Sequence, residues 1–293
     1  MRRIAALTVL LLLLAGCSGG ASSARTSSGA SSAATTGGGS AVRSYVALGD
    51  SYTSAPYVYL TDVAKGCLRS DHNYPSLVAK SLRVRSFHDV SCAGATTGEL
   101  TRRQGTFPQR DLSVPPQLRA VRPGTDLVTL GIGGNDFGIS SLLLSSCPTA
   151  QASCLPASAA PRIRHDIAAL RPRLVDSLRA VQRRAPHATV LLVGYPKIAP
   201  DHGSCPELPT LTPTALGLLN RLNRSLNDAM AAAARAAGVG FVDVYAASLG
   251  HDICATVPWV NGIHTDTSRA AAMHPFEVEQ RAVARLIVRQ VSR

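Results

Sequence analysis

Four residues, far apart in the chain, are of the types that acyl transfer needs. Ser51 stands in Gly49-Asp50-Ser51-Tyr52, directly after the apolar run Val46-Ala47-Leu48. A hydroxyl lifted on a sharp turn at the end of a buried strand can be a nucleophile when a base lies within hydrogen-bond reach. His274, in Met273-His274-Pro275 near the chain's end, is the candidate base. Gly94, in the small-residue turn Ser91-Cys92-Ala93-Gly94-Ala95-Thr96-Thr97, offers a backbone N–H with no side chain to block close approach. Asn135, in Gly133-Gly134-Asn135-Asp136, offers a side-chain amide, and Ser51 adds its own N–H. A nucleophile, a base and donors aimed at a developing oxyanion are the parts of such a site. Singly, each residue has a plainer reading: Asp50-Ser51 as a helix cap, Gly94 as a turn glycine, Asn135 as a turn or cap residue. Their joint order and spacing favour a hydrolase. The other histidines are read as structural or solvated.

Strands and helices must carry these residues to one place. Short apolar runs predict strands over 44–48, 125–131, 189–194 and 239–244, and a further strand is expected over 84–90. Helical spacing predicts helices over 57–65, 74–82, 161–184, 212–237 and 275–291. Strands of about five residues alternating with helices argue for a parallel sheet covered on both faces. Ser51, Gly94 and Asn135 then follow the carboxyl ends of three successive strands, where open α/β sheets build their sites. There are no internal repeats.

At these residues the chain resembles the SGNH, or GDSL, hydrolase family, over essentially the whole domain. The matching blocks are Gly49-Asp50-Ser51-Tyr52, Gly94, Gly133-Gly134-Asn135-Asp136 and His274-Pro275. The early position of Ser51 separates it from α/β-hydrolases, whose Gly-x-Ser-x-Gly elbow lies mid-chain. The loop cysteines and the stretch Cys67-Leu68-Arg69-Ser70…Asn73-Tyr74-Pro75 look like the secreted actinobacterial lipase/esterase branch. The resemblance implies an α/β, flavodoxin-like three-layer sandwich with a central parallel sheet. It implies hydrolysis of carboxylic esters through an acyl-enzyme on Ser51 with His274 as base, and an oxyanion hole of Ser51, Gly94 and Asn135. No cofactor or metal is expected. In one respect the chain departs from the family: the position three residues before His274, often Asp, is Ala271, and the nearest upstream carboxylate is Asp266. The third member is therefore either a main-chain carbonyl, such as that of Ala271, or Asp266. A carbonyl fixes the same histidine tautomer as a carboxylate and stabilises the imidazolium less. Tyr57, Tyr59, Leu142, Leu143, Leu144, Trp259 and Val260 are expected to border an apolar groove for medium acyl chains.

The N-terminus reads as an export signal. Met1-Arg2-Arg3 is basic, residues 4–14 are apolar but too short for a stable span, and Leu14-Ala15-Gly16-Cys17 resembles a bacterial lipobox. The expected organisation is a signal peptide over 1–16, a lipidated Cys17 with a flexible Ser/Gly/Ala linker over 17–41, and one hydrolase domain over 42–293. The protein is expected to be exported, as a cell-envelope lipoprotein or secreted. The remaining six cysteines are expected to pair sequentially as Cys67–Cys92, Cys147–Cys154 and Cys205–Cys254, in an oxidising compartment. The formal charge of +12 comes almost wholly from arginine. With no basic run interleaved with aromatics, and with an export signal, it is read as a solvated surface and not a nucleic-acid site. The expected partners are an ester substrate, lipid-like or acylated, and a membrane reached through the anchor; a monomer is expected. Two other readings share the fold: an acetyl esterase acting on envelope polymers, and a non-catalytic envelope-binding lipoprotein.

Overall fold

The computed structural model describes residues 42–106, 112–140, 157–208 and 211–293. Cys17, Leu142, Leu143, Leu144 and the Cys147–Cys154 pair lie outside the described residues.

β1 (Ser44–Gly49) leads into a one-turn helix α1 (Ser51–Ser54). A hairpin of β2 (Thr61–Asp62) and β3 (Arg69–Ser70) follows, then α2 (Tyr74–Leu82) and β4 (Ser86–Asp89). A second small hairpin, β5 (Gln104–Gly105) with β6 (Ser113–Val114), precedes β7 (Leu127–Gly131). The chain continues through α3 (Ala160–Arg184), β8 (Thr189–Val193), α4 (Pro213–Ala237), β9 (Gly240–Val242), α5 (Val244–Ala247) and α6 (Glu277–Val291).

Among the described residues the main sheet has five strands in the order β4-β1-β7-β8-β9, all parallel. The inner strands β1, β7 and β8 are largely apolar because helices cover both faces, whereas the edge strand β4 carries Ser86, His88 and Asp89. Val46, Leu48, Val128, Leu130, Val190 and Leu192 pack beneath α3 and α4. The alternate residues Tyr45, Ala47, Leu191 and Val193 pack beneath α2 and α6. This is the expected flavodoxin-like three-layer sandwich, and the five strand predictions hold, β1 running one residue further and the other four trimmed by one or two residues at an end.

Capping residues set the helix limits. Asn73 accepts from Ser76 N at the start of α2, and Thr212 accepts from Ala215 N at the start of α4. Gly238, at φ +69°, ends α4 in the left-handed conformation.

One predicted helix is absent. Over 57–65 the chain makes turns and enters the β2–β3 hairpin, with Ala55, Tyr57 and Tyr59 at positive φ. The Cys67–Cys92 disulfide ties the end of this segment to the turn that carries Gly94. The second described disulfide, Cys205–Cys254, is also as expected.

Candidate active site

Strand order explains why the three blocks meet. β1 lies between β4 and β7, so the loops after those two strands flank the one that carries Ser51. Backbone hydrogen bonds stitch the three together. Asp50 N donates to Gly131 O at 2.9 Å and Cys92 N donates to Gly49 O at 2.9 Å. The Gln117 amide binds both main-chain polar groups of Gly49, its Oε1 accepting from Gly49 N at 2.8 Å and its Nε2 donating to Gly49 O at 2.9 Å. Gly49 itself is required by crowding, since a Cβ there would sit 2.6 Å from the Gly131 carbonyl oxygen.

Asp50 is the cap of α1. Its Oδ1 accepts from Tyr52 N at 2.9 Å, and its Oδ2 accepts from the Tyr195 hydroxyl at 2.5 Å. Ser51, half-buried, occupies the first helical position, where the N–H has no acceptor within the helix. Gly94, exposed at φ +82°, also has no acceptor for its N–H among the described residues. Asn135 Nδ2 donates to Ala95 O at 3.0 Å, which fixes the amide plane and leaves a second N–H on the same nitrogen. The loops are locked to each other one residue further on. Buried Asp136 accepts from Thr97 N at 2.8 Å and from Thr97 Oγ1 at 2.6 Å. Phe137 then takes φ +55°, with Arg173 stacked 4.1 Å above its ring.

The His274 loop is bound to the residue after the serine. Tyr52 OH donates to Met273 O at 2.6 Å, and the Tyr52 and His274 rings lie 5.3 Å apart. Gln280, in α6, donates to Tyr52 O at 3.1 Å. His274 Nδ1 lies 2.6 Å from Ala272 O. The carbonyl expected for this role, that of Ala271, is not the acceptor: it takes the Asn261 amide at 3.0 Å and the His274 backbone N–H at 3.2 Å. Asp266 does not approach the ring either. It lies half-buried in its own turn, accepting from Ser268 Oγ at 2.6 Å and Ser268 N at 2.9 Å, which holds its carboxyl below the usual range. Since carbonyls only accept, Nδ1 carries the proton and Nε2 is the basic atom. Burial lowers the His274 pKa, opposed in part by the Ala272 bond.

Two buried carboxyl groups lie close by. Burial raises Asp50 to about 7 against the Tyr195 hydrogen bond. Burial raises Glu279, in the first turn of α6, to about 8. Tyr195 was not foreseen: its hydroxyl donates to Asp50 and accepts from Gly134 N at 2.9 Å, joining the Gly-Asp-Ser and Gly-Gly-Asn blocks. The available signal was its place, directly beyond the end of a predicted strand on the same sheet edge. Gln117 sits in no recognisable pattern. Of the expected groove residues, Trp259 and Val260 are buried, Trp259 stacked 4.8 Å from His251, and Tyr59 is exposed against His72.

Residues 47–275 match the model of the GDSL-like lipase/acylhydrolase family. Lipase 2 of Streptomyces coelicolor is 36% identical over 253 residues, spanning 82% of this chain and 83% of that protein. The crystal structure of phospholipase A1 from Streptomyces albidoflavus superposes with a TM-score of 0.71 at 28% identity, over 85% of this chain and 99% of that one. The extracellular lipase of Streptomyces rimosus superposes with a TM-score of 0.69 at 30% identity, over the same 85% and 99%.

Proposed function

The chain belongs to the GDSL-like lipase/acylhydrolase family and hydrolyses carboxylic esters, and we propose that it does so with a Ser51–His274 dyad. Ser51 Oγ attacks the ester carbonyl while His274 Nε2 takes its proton. The Ser51 N–H, the Gly94 N–H and the second N–H of Asn135 Nδ2 receive the oxyanion. Collapse of the tetrahedral intermediate expels the alcohol, protonated by His274, and leaves an acyl-Ser51. Water, activated by the same nitrogen, then releases the acid. The Ala272 carbonyl holds the ring in the productive tautomer.

The observation that carries this reading is the pair of N–H groups at Ser51 and Gly94, on adjacent loops, both without an acceptor among the described residues. Unpartnered donors on neighbouring strand ends are what an oxyanion hole requires before substrate arrives. A fluorophosphonate probe should label the folded protein at Ser51 alone, as read by peptide mass, and Ser51→Ala should lose both labelling and turnover. Folded protein that turns over ester yet resists the probe would remove Ser51 from the chemistry.

The substrate is proposed to be a lipid-like acyl ester, in keeping with relatives named lipase and phospholipase A1. A chain-length series of p-nitrophenyl esters tests this; strict preference for acetate would count against it. Export is proposed from the two disulfides and the extracellular relative, with a signal peptide over 1–16, acylation at Cys17, a linker over 17–41 and a third disulfide, Cys147–Cys154. A monomer is proposed.

A further inference from the structure

The charge of this protein is not spread evenly. Parallel strands all start at one edge of the sheet, and the site just described lies at the other. Hydrogen bonds define the starting edge. Arg85 N and Ser86 N donate to Arg43 O, Arg43 N donates to Asp126 Oδ2, and Thr189 N donates to Asp126 O. Arg184 Nε reaches Val121 O at 3.4 Å, and a Cβ on Gly240 would meet Gln290 Nε2 at 2.7 Å. The loops entering β1, β4, β7, β8 and β9 and the last turns of α3, α4 and α6 therefore form one pole.

Arg43, Arg85, Arg122, Arg184, Arg235 and Arg289 stand exposed on it, and none is in an ion pair among the described residues. In those loops and turns the one acidic side chain among the described residues is Asp126, whose Oδ2 is held by the N–H groups of Arg43 and Ser44. The other described carboxylates lie towards the opposite edge or midway along helices. Basic residues at helix ends complement the helix dipole, which accounts for Arg184, Arg235 and Arg289. It does not account for Arg43, Arg85 and Arg122, which stand in loops entering strands.

We propose that this pole is an electrostatic docking face for an anionic lipid surface, which leaves the catalytic edge turned outward to esters beyond the bilayer. The choice of lipid rests on the acylated Cys17 proposed above. The chain enters the fold at Val42, on this same pole, beside Arg43. The 25 residues from Cys17 to Ala41 join the fold at this pole, so an acylated Cys17 would tether the protein from the side that carries these arginines. A polybasic face then gains about fivefold in adsorption for each arginine within a Debye length of anionic headgroups.

The test uses the full chain with Cys17→Ser, so that no acyl group contributes. Co-sedimentation is measured with vesicles of phosphatidylcholine alone and of phosphatidylcholine mixed with phosphatidylglycerol. Binding should require phosphatidylglycerol and should fall as salt is raised. The triple variant Arg43→Gln, Arg85→Gln, Arg289→Gln should bind about 100-fold more weakly while keeping its rate on a soluble p-nitrophenyl ester. The same three positions changed to Lys should retain binding, which guards against a folding defect. Neutralising Arg162, Arg164 and Arg171, exposed along the first half of α3, removes equal charge and should cost far less. Equal binding by the Gln triple and the parent, or no preference for phosphatidylglycerol, overturns the proposal. So does transfer of the protein from vesicles to soluble polyglutamate at matched charge. The mass of Cys17 in protein from an exporting host decides the anchor separately, whatever the vesicles show.

Discussion

At the scale of the single residue, the site is defined by what His274 lacks. Its Nδ1 proton goes to the Ala272 carbonyl, so no carboxylate charge offsets the imidazolium formed during attack. The tautomer is nonetheless correct, and loss of the correct tautomer is what makes replacement of a triad aspartate so damaging in serine proteases, about 10⁴ in kcat. Asp266→Asn should therefore leave kcat within about twofold, since that carboxylate serves only its own turn with Ser268. A loss of several powers of ten in folded protein would restore a triad. The pH profile offers a second check. The working form of His274 is neutral, and burial lowers its pKa below the ordinary 6.5. Activity should therefore persist below pH 6.5 and fall only as pH drops through the lowered value; an acid limb in kcat/KM centred above 6.5 would contradict this. Asn135→Ala should lower kcat by about 10²–10³, the usual effect of losing one oxyanion donor.

At the scale of the element, the strand ends are held by side chains that do no chemistry. Tyr195 reaches from the end of β8 to Asp50 and Gly134, so Tyr195→Phe strands a buried acceptor and a buried N–H at once. Each unpaired group costs about 1–3 kcal/mol, so denaturant unfolding should show a loss of about 3 kcal/mol. Because Gly134 precedes Asn135, kcat should fall more than KM rises; unchanged stability would mean the two contacts contribute nothing. The Cys67–Cys92 bridge acts similarly on the Gly94 turn. Reduction should lower the melting temperature, and activity should fade before the fold does. These links mark what the sequence could and could not disclose. Strands buried on both faces read clearly as apolar runs, and long helices such as α3 and α4 read from their spacing and caps. Motif glycines and polar residues at strand ends located the site. The helix expected over 57–65 failed because a disulfide and neighbouring positive-φ residues, which are tertiary facts, overrode local periodicity. The acceptor for His274 was misplaced by one residue, because the backbone path between Ala271 and Pro275 sets which carbonyl turns to the ring. Nothing in the spacing of Tyr195 or Gln117 tells which buried group each will meet.

At the scale of the molecule, charge is sorted along the strand direction. Where the strands begin, exposed arginines meet a single acidic side chain among the described residues, and Asp50 and Glu279 are buried beneath the edge where the strands end. A carboxyl buried with few donors keeps its proton, which makes stability depend on pH in a way that can be isolated. Glu279 accepts only from Gln280 Nε2, at 2.7 Å, among the described residues, and its pKa rises from 4.5 to about 8. A folded-state pKa above the unfolded value means that the native protein holds more protons between the two. The stabilisation is complete below about 4.5 and is lost as pH rises towards about 8. Asp50 adds the same sign up to about 7, and His274, with its pKa lowered, adds the opposite sign only below 6.5. Between pH 7 and 8, Glu279 is thus the largest of the three terms. Unfolding free energy should drop across that interval with a slope of at most about 1.4 kcal/mol per pH unit. Glu279→Gln keeps an acceptor for the Gln280 amide and removes the titration, so its stability should be nearly level over the same interval. Denaturant curves of both proteins at the two pH values decide the matter: a variant that loses as much stability as the parent would show that Glu279 is already ionised in the fold.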